Sequence, residues 1–313
     1  MNAPEASESS EPFRDAVEVA VTGGMLRVAR AGSPPEEAQG VVLALHGMTG
    51  THMVYRTVAR ELSRNAPELC LLAPDLRGRG ASAGLPAPYG MGVHVADLIA
   101  VLDDAAVERA VVVGHSMGCN VAARLAAEHP ERVAAVVLLD GGLPLLPDNM
   151  MSEDDEQEDE SHEIFARFES TYATVDAYMG YWRQHPGLER AWDEDVEAFV
   201  RRDFKQDRDG VRCRAHLEAV RKDVADIMLD GRTWTAITRV SAPVRVLRAE
   251  RGFYDDDPVI PLEPLDKFVR DHPHVSVEVV SDVNHFTLVI GGGHGPRRVA
   301  ATLAAMALGD TAR

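Results

Sequence analysis

Residues 111–123 read VVVGHSMGCNVAA, and this stretch decides the fold class of the chain. The β-branched run is too short for a helix and stops at Gly114, and Ser116 follows in a Gly-x-Ser-x-Gly frame that closes at Gly118. An alanine-rich helical pattern then begins. Strand, sharp turn and helix in this order lift a serine hydroxyl above the end of a sheet, and the glycines let backbone segments approach more closely than a Cβ allows. The pattern predicts that Ser116 is a nucleophile, in preference to a serine that only caps a helix.

Composition and charge limit the class of protein. The chain has 313 residues, 45% of them hydrophobic, which is enough for one large domain or for a domain with an insertion. A net charge of −18 argues against a nucleic-acid partner. No apolar run approaches the roughly 20 residues of a membrane span, the N-terminus does not resemble a secretory signal, and three cysteines cannot form a fully paired framework. We expect a cytoplasmic protein with a small-molecule substrate and neither a nucleic-acid nor a membrane partner, and its oligomeric state stays open.

Alternating strand and helix patterns predict an α/β fold. Apolar runs without polar interruption are typical of parallel strands that are covered on both faces, and such runs lie at 41–45, 69–73, 111–113 and 133–139. Residues 243–249 are predicted to form a further strand. Residues 16–22 and 25–31 instead alternate apolar and polar side chains around Gly23-Gly24, which predicts a β-hairpin. Helical periodicity separates most of the runs. We therefore expect a mostly parallel sheet flanked by helices on both faces.

Changes in composition and hydrophobic pattern along the chain predict its domain boundaries. Residues 13–143 and 240–313 carry the alternating pattern and form the predicted core, preceded by a disordered acidic tail at 1–12. Residues 144–239 are predicted to be a helical cap without strands, in which 147–163 form a mobile acidic segment. Most aromatic residues of the chain lie in this region. We expect most of them to be core residues and a few to supply an apolar wall for a substrate above Ser116.

A histidine stands where a base for Ser116 is needed. A serine hydroxyl becomes nucleophilic when a base takes its proton, and a carboxylate must hold that base. His285, in the stretch SDVNHF at 281–286, directly follows the last predicted strand, which places it at the same sheet edge as Ser116. The expected chain order is serine, acid, histidine. The position of His285 predicts the base, whereas His272, His274 and His294 are predicted to be surface residues.

Several aspartates compete to be the acid. Asp255 follows the penultimate predicted strand in a Gly-x-x-Asp pattern and is the preferred choice, although residues 248–251 make that connection long. Asp140 stands at the tip of the strand after the Ser116 helix and is the main alternative. Aligning the loop from residues 258–261 favours Asp257, with Asp256 beside it. Those that are not the acid are expected to be helix caps or solvated loop charges.

Two backbone N–H groups are predicted to form an oxyanion hole. One belongs to Met117, the residue after the nucleophile, and the other to Met48 in His46-Gly47-Met48, the loop after the third strand. His46 is expected to brace this loop rather than to transfer a proton. Residues 77–80, Arg-Gly-Arg-Gly, are expected to form a structural turn rather than an anion site.

Four motifs carry a resemblance to a known family, and they read HGM at 46–48, DLRGRGAS at 75–82, GHSMG at 114–118 and NHF at 284–286. From about residue 17 to 308 the chain resembles the α/β-hydrolase fold superfamily, as a serine-nucleophile, esterase- or lactonase-like member with a helical cap. The resemblance implies an eight-stranded, mostly parallel sheet, a cap inserted after the sixth strand, and neither cofactor nor metal. It also implies a covalent acyl-enzyme formed from an ester, a thioester or a lactone. Our first hypothesis is a serine hydrolase for a small to medium, largely apolar carboxylic ester or lactone.

The chain departs from the family pattern in its acid loop. The loop that carries Asp255 is longer than the family norm, and certain haloalkane dehalogenases take their acid from the end of the sixth strand, where Asp140 stands. Related epoxide hydrolases and dehalogenases need an aspartate nucleophile, so Ser116 excludes those reactions by their usual mechanism. A thioesterase, a carbon–carbon bond hydrolase with the same residues and a non-catalytic small-molecule binding module remain alternatives.

Overall fold

The computed structural model of the chain describes residues 11–144, 168 and 170–309. The predicted tail at 1–12, apart from its last two residues, and the predicted acidic segment at 147–163 lie outside the described residues. Within the described ranges, no helix combines the length and the apolar character that crossing a membrane requires.

In the part of the chain that the structure describes, ten strands form one large sheet and one hairpin. In chain order they are β1 Asp15–Val21, β2 Gly24–Gly32, β3 Gly40–Leu45, β4 Leu69–Pro74, β5 Ala110–His115, β6 Val133–Leu139, β7 Phe204–Asp207, β8 Gly210–Cys213, β9 Val244–Arg251 and β10 Val275–Asn284. Eight of them form a sheet in the order β1-β2-β4-β3-β5-β6-β9-β10. The β1–β2 and β2–β4 pairs are antiparallel, and all other pairs in this sheet are parallel. The predicted mostly parallel, eight-stranded α/β fold is confirmed.

Helices cover both faces of the sheet. In the described part of the chain they are α1 Arg56–Asn65, α2 Met91–Asp104, α3 Met117–Glu128, α4 Val175–Arg183, α5 Glu194–Asp203, α6 Leu217–Leu229, α7 Gly231–Trp234, α8 Leu262–Asp271 and α9 His294–Ala307. Val112 of β5 packs into one apolar cluster with α2 and α3, while its neighbours Val111 and Val113 pack into a second cluster with α1 and α9. Because successive side chains of a strand point to opposite faces, a strand covered on both faces needs an unbroken apolar run.

The parallel strands bring four loops to one edge of the sheet. Parallel strands share the edge at which they end, and here that edge carries the residues that follow β3, β5, β6 and β10. Ser116 follows β5, Asp140 follows β6 and His285 follows β10. The loop that starts at His46 follows β3. The topology therefore gathers at one edge four of the segments that the sequence singles out.

The turn around Ser116 has the geometry that its glycines imply. Ser116 has a φ of 56° and a ψ of −124°, in a region of positive φ that side chains other than glycine rarely adopt. A Cβ on Gly114 would lie 2.2 Å from the carbonyl oxygen of Gly118, and a Cβ on Gly118 would lie 2.2 Å from that of Leu45. Helix α3 therefore crosses β3 and β5 at a distance that only glycine permits.

The chain between β6 and β9, here called the inserted segment (described residues 168 and 170–239), differs from its prediction in one respect. It holds four helices but also the antiparallel strands β7 and β8, so the expectation of a region without strands is wrong. The turn places Arg208 and Asp209 between the strands, and Gly210 has a φ of 128°. The dipeptide Asp209-Gly210 is a common hairpin signal. The aromatic and helical character of the surrounding sequence hides it.

A buried carboxylate anchors the inserted segment to the core. Asp195 of α5 accepts hydrogen bonds from Arg60 at 2.7 Å and from Thr57 at 2.8 Å, and it also pairs with Arg56. All three partners belong to α1. The carboxylate is 3% exposed, and a charge buried to this extent is tolerated because cations and a hydroxyl surround it.

Replacing Gly118 by alanine should destabilise the fold by about 1–3 kcal/mol or more, because the added methyl group meets backbone that cannot rotate away. Urea unfolding measures this change. Gly180→Ala is the matched control, since Gly180 also lies in a helix and a Cβ there meets nothing within 4 Å. The control should keep or gain stability. Equal unfolding free energies for the two variants would contradict the close approach of α3.

Candidate active site

A hydrogen bond joins Asp140 to His285. Asp140 Oδ2 lies 2.8 Å from His285 Nδ1, and the residues are 0% and 2% exposed. Asp140 Oδ1 accepts a second hydrogen bond from the backbone N–H of Ala249 at 3.1 Å. Because a carboxylate only accepts hydrogen bonds, His285 donates the proton of Nδ1 to Asp140, and in the neutral form of the ring Nε2 then carries the lone pair. The pair has the arrangement of an oriented general base.

Asp255, the preferred acid from the sequence, is bound elsewhere, and the structure revises the partner of His285 to Asp140. Asp255 Oδ1 accepts from Arg251 Nε at 2.6 Å and from Asn284 Nδ2 at 3.0 Å. The Arg251 guanidinium lowers the pKa of Asp255. Strand β9 continues to Arg251, beyond its predicted end at residue 249, so the long connection is mostly strand. Asp256 and Asp257, which follow Asp255, are exposed.

Two rings contact the imidazole of His285. His115 lies with its ring centroid 4.6 Å away, and its Nε2 donates to the backbone carbonyl of His285 at 2.9 Å. Burial, followed by the positive charge that His285 carries when it is protonated, holds the pKa of His115 well below its usual value, so this ring stays neutral. On the loop after β9, the ring of Phe253 lies 3.9 Å from the His285 ring and is 41% exposed. The sequence motifs predict no role for His115 or Phe253, although the position of His115 directly before Ser116 is a usable signal.

His46 holds the loop after β3 from inside. It is fully buried, and its Nε2 accepts from the backbone N–H of Leu76 at 2.9 Å. Nδ1 must therefore carry the proton, which it donates to the carbonyl of Gly47 at 2.7 Å. Burial lowers the pKa of His46 to about 4, which keeps the ring neutral at physiological pH. The backbone N–H of Gly50 donates to the same oxygen at 3.1 Å.

The hydrogen bonds to the Gly47 carbonyl also fix the direction of the Met48 backbone N–H. The carbonyl of Gly47 and the N–H of Met48 belong to one planar trans peptide, so hydrogen bonds that fix the oxygen fix the opposite direction of the N–H. A Cβ on Gly47 would lie 3.1 Å from Cβ of Ser116, which places this loop against the serine. Met117 is the first residue of α3, where backbone N–H groups have no partner within the helix. The two N–H groups that the sequence predicts for an oxyanion hole both belong to segments beside Ser116.

The motif at 75–82 forms a buried turn. Asp75 accepts from His52 Nδ1 and from the backbone N–H of Ala81, both at 2.8 Å. Burial acts to raise the pKa of Asp75, but the hydrogen bond and the charge of His52, followed by weaker contributions that include the Ala81 hydrogen bond, outweigh it and bring the pKa to about 2. Arg77 forms a two-pronged pair with Asp97 at 2.9 and 2.8 Å. The arginines of this motif are buried, which sequence patterns alone do not reveal.

Among the residues that the structure describes, no group of three or more His, Cys, Asp or Glu side chains is arranged to hold a metal ion. The three cysteines are buried and not cross-linked. Burial raises the pKa of Cys119, the cysteine on α3, far above its usual value, so its thiol stays protonated beside Ser116. The polar groups described at this edge include the serine hydroxyl, the Asp140–His285 pair and backbone N–H groups.

Comparison with known proteins places this arrangement in a family. A sequence model of the alpha/beta hydrolase fold matches residues 40–291. The chain belongs to the alpha/beta hydrolase fold family. In this family the Gly-x-Ser-x-Gly turn at the end of a central strand is the expected place of a nucleophile.

Individual relatives match shorter parts of this alpha/beta hydrolase fold protein. It is 42% identical to Lipase LipV of Mycobacterium tuberculosis over 104 residues, 33% of this chain and 38% of that protein. It is 37% identical to Epoxide hydrolase A of the same organism over 131 residues, 41% of this chain and 38% of that protein. The chain thus spans less than two fifths of the length of these relatives. The crystal structure of E-2-(acetamidomethylene)succinate hydrolase has a TM-score of 0.74 at 20% identity, covering 93% of this chain and 98% of that one, which shows a shared fold.

Stability should depend on pH through His46. The unfolded histidine titrates near pH 6.5 and the folded one near pH 4, so between these values the unfolded chain binds a proton that the folded chain does not. The contribution of His46 to the free energy of unfolding is therefore complete above pH 6.5. Between pH 6.5 and pH 4 this contribution falls with decreasing pH, by about 1.4 kcal/mol per pH unit. Urea unfolding at pH 7, 6 and 5 measures the slope.

His46→Gln is the matched variant for this measurement, because its amide oxygen can accept the Leu76 N–H without titrating. Its slope between pH 6 and pH 5 should be shallower than that of the wild type. The buried His115 contributes to the slope in both proteins and cancels in the comparison. An identical slope would show that His46 does not remain neutral in the folded protein.

Proposed function

We propose that this protein is a serine hydrolase that cleaves a small to medium, largely apolar carboxylic ester or lactone through a covalent acyl-enzyme. The observation that carries the proposal is the buried hydrogen bond between Asp140 and His285 at the sheet edge where Ser116 stands on its strained turn. A neutral histidine with a free Nε2 and a carboxylate on Nδ1 is the base that a serine nucleophile requires.

The proposed reaction uses Ser116, His285, Asp140, two backbone N–H groups and a water molecule. Ser116 Oγ attacks the carbonyl carbon while its proton passes to Nε2 of His285, and Asp140 stabilises the resulting imidazolium. The N–H groups of Met48 and Met117 donate to the oxyanion. The carbon–oxygen bond to the leaving alcohol then breaks, and the imidazolium protonates that oxygen. A water molecule, deprotonated by His285, attacks the acyl-enzyme and releases the acid and Ser116.

Apolar side chains around the site support a largely apolar substrate. The side chain of Met48 packs against a small cluster from the inserted segment that contains Cys213, Ala215 and Val220. The exposed ring of Phe253 lies beside His285. The similarity to a protein named as a lipase agrees with an ester, and a serine rather than an aspartate at the nucleophile position disfavours epoxide opening.

A fluorophosphonate probe should label the wild-type protein once, at Ser116, because it reacts with serines that a neighbouring base activates. Peptide mapping by mass spectrometry locates the adduct. Ser116→Ala should not be labelled and should lose turnover of short-chain aryl esters. Absence of labelling in the folded wild type, or equal labelling of Ser116→Ala, would overturn the proposed function.

Asp140→Asn should lower kcat for an ester by about 10⁴-fold, since an asparagine no longer stabilises the imidazolium and favours the wrong tautomer. Asp255→Asn is the matched control, because it changes the competing aspartate in the same way and should retain most of the activity. Circular dichroism verifies that both variants are folded. Loss of activity in Asp255→Asn with retention in Asp140→Asn would reverse the assignment of the acid.

A further inference from the structure

The guanidinium of Arg79 contacts both residues of the proposed oxyanion hole. Arg79 is fully buried, and its Nε donates to the backbone carbonyl of Met48 at 2.9 Å. Its Nη2 lies 3.7 Å from the sulfur of Met117, and its Nη1 donates to the carbonyl of Arg77 at 3.0 Å. One cation therefore ties the turn at 75–82 to the two segments that flank Ser116.

The counter-charge of Arg79 comes from the inserted segment. Asp223 of α6 is fully buried, with Oδ2 at 2.5 Å from Arg79 Nη1 and at 3.0 Å from His94 Nε2. Burial acts to raise the pKa of Asp223, but the neighbouring His94 and Arg79 outweigh it and lower the pKa below its usual value. The carboxylate is therefore ionised and balances the buried cation. Its Oδ1 has no hydrogen-bond partner among the described residues, so the pair is held mainly through one oxygen.

With the contacts of Arg79, the peptide groups on both sides of Met48 are fixed by hydrogen bonds. The peptide before Met48 is fixed through the Gly47 oxygen by His46 and Gly50, and the peptide after it is fixed through the Met48 oxygen by Arg79. An oxyanion hole works because its donors are already in place when charge develops on the substrate oxygen. Small errors in the position of such groups cost large factors in rate. The direction of the Met48 N–H therefore depends on both anchors.

We infer that Arg79 is a positioning residue for the oxyanion hole and that Asp223 holds Arg79 in place. The inference rests on the proposed function, since it assigns a role within that reaction. It also gives the inserted segment a role in the reaction: through Asp223, docking of α6 sets the position of a catalytic N–H on the core. Arg79 touches no reacting atom in this account and acts through the backbone of Met48.

Arg79→Lys tests the inference directly. A lysine can reach Asp223 or the Met48 carbonyl with its single ammonium, but it lacks the fork that serves both. We expect kcat for an ester to fall about 10- to 100-fold with little change in KM, because the loss concerns only the transition state. The affinity for an alkylboronic acid, whose adduct with Ser116 places an oxygen in the oxyanion hole, should fall by a similar factor.

Arg77→Lys is the matched control. Arg77 lies two residues away in the same turn and forms an equally buried pair with Asp97, but its side chain donates to Pro86 and Thr22 rather than to the Met48 loop. We expect a comparable fall in Tm, with kcat and boronate affinity close to those of the wild type. Equal losses in the two lysine variants would show that Arg79 is merely structural and would overturn the inference.

Asp223→Asn, with Asp97→Asn as its control, provides the same test if Arg79→Lys does not fold. It keeps the shape of the side chain and Arg79 itself, so kcat and boronate affinity should fall together, severalfold, while Asp97→Asn leaves both unchanged. An Asp223→Asn protein with wild-type kcat would also overturn the inference. Fluorophosphonate labelling of the wild type separates the two failures, because a wild type that is not labelled at Ser116 refutes the proposed function itself.

Discussion

The carboxylate of Asp140 joins three neighbouring strands at the edge of the sheet. It follows β6, accepts from the N–H of Ala249 on β9 and holds the histidine that follows β10. A buried carboxylate without such partners would be strongly destabilising, so this edge keeps its shape only while all of them are in place. Backbone hydrogen bonds connect the same strands. The N–H of Ser116 donates to the carbonyl of Leu139 at the end of β6, and the N–H of Asp140 donates to the carbonyl of Leu247 on β9. Ser116 and Asp140 both have a positive φ, and these contacts hold them in a conformation that costs about 1–2 kcal/mol each.

Much of the fold could be predicted because its signals are local. The apolar run that contains Val112 indicates a strand covered on both faces, and the glycines around Ser116 mark a turn that no other residue fits. The place of His285 after the last strand can likewise be predicted from local sequence. The acid could not be chosen in this way, since the choice depends on where β9 ends and on Arg251 and Asn284, which bind Asp255. The hairpin of β7 and β8 was missed because one Asp-Gly dipeptide stands in a helical context.

Buried charge connects the inserted segment to the site, and this too is absent from the sequence pattern. Asp195 is almost fully buried and Asp223 is fully buried. Asp195 pairs with arginines of α1, and Asp223 pairs with Arg79 in the turn at 75–82, so both carboxylates bind cations of the core. Removing one partner of such a pair costs far more than the pair contributes, so the segment and the core are held in one relative arrangement. On our account the loop of Met48 lies where the two meet, braced by His46 from the core and by Arg79 from the turn.

In this structure Asp140, and not Asp255, holds the proton-bearing nitrogen of His285. Proton NMR tests this most directly, because a histidine N–H that donates to a buried carboxylate gives a strongly deshielded resonance that exchanges slowly with water. We expect such a resonance in the wild type and in Asp255→Asn, and its loss in Asp140→Asn at unchanged secondary structure. A resonance that persists in Asp140→Asn and disappears in Asp255→Asn would show that Asp255, and not Asp140, holds His285.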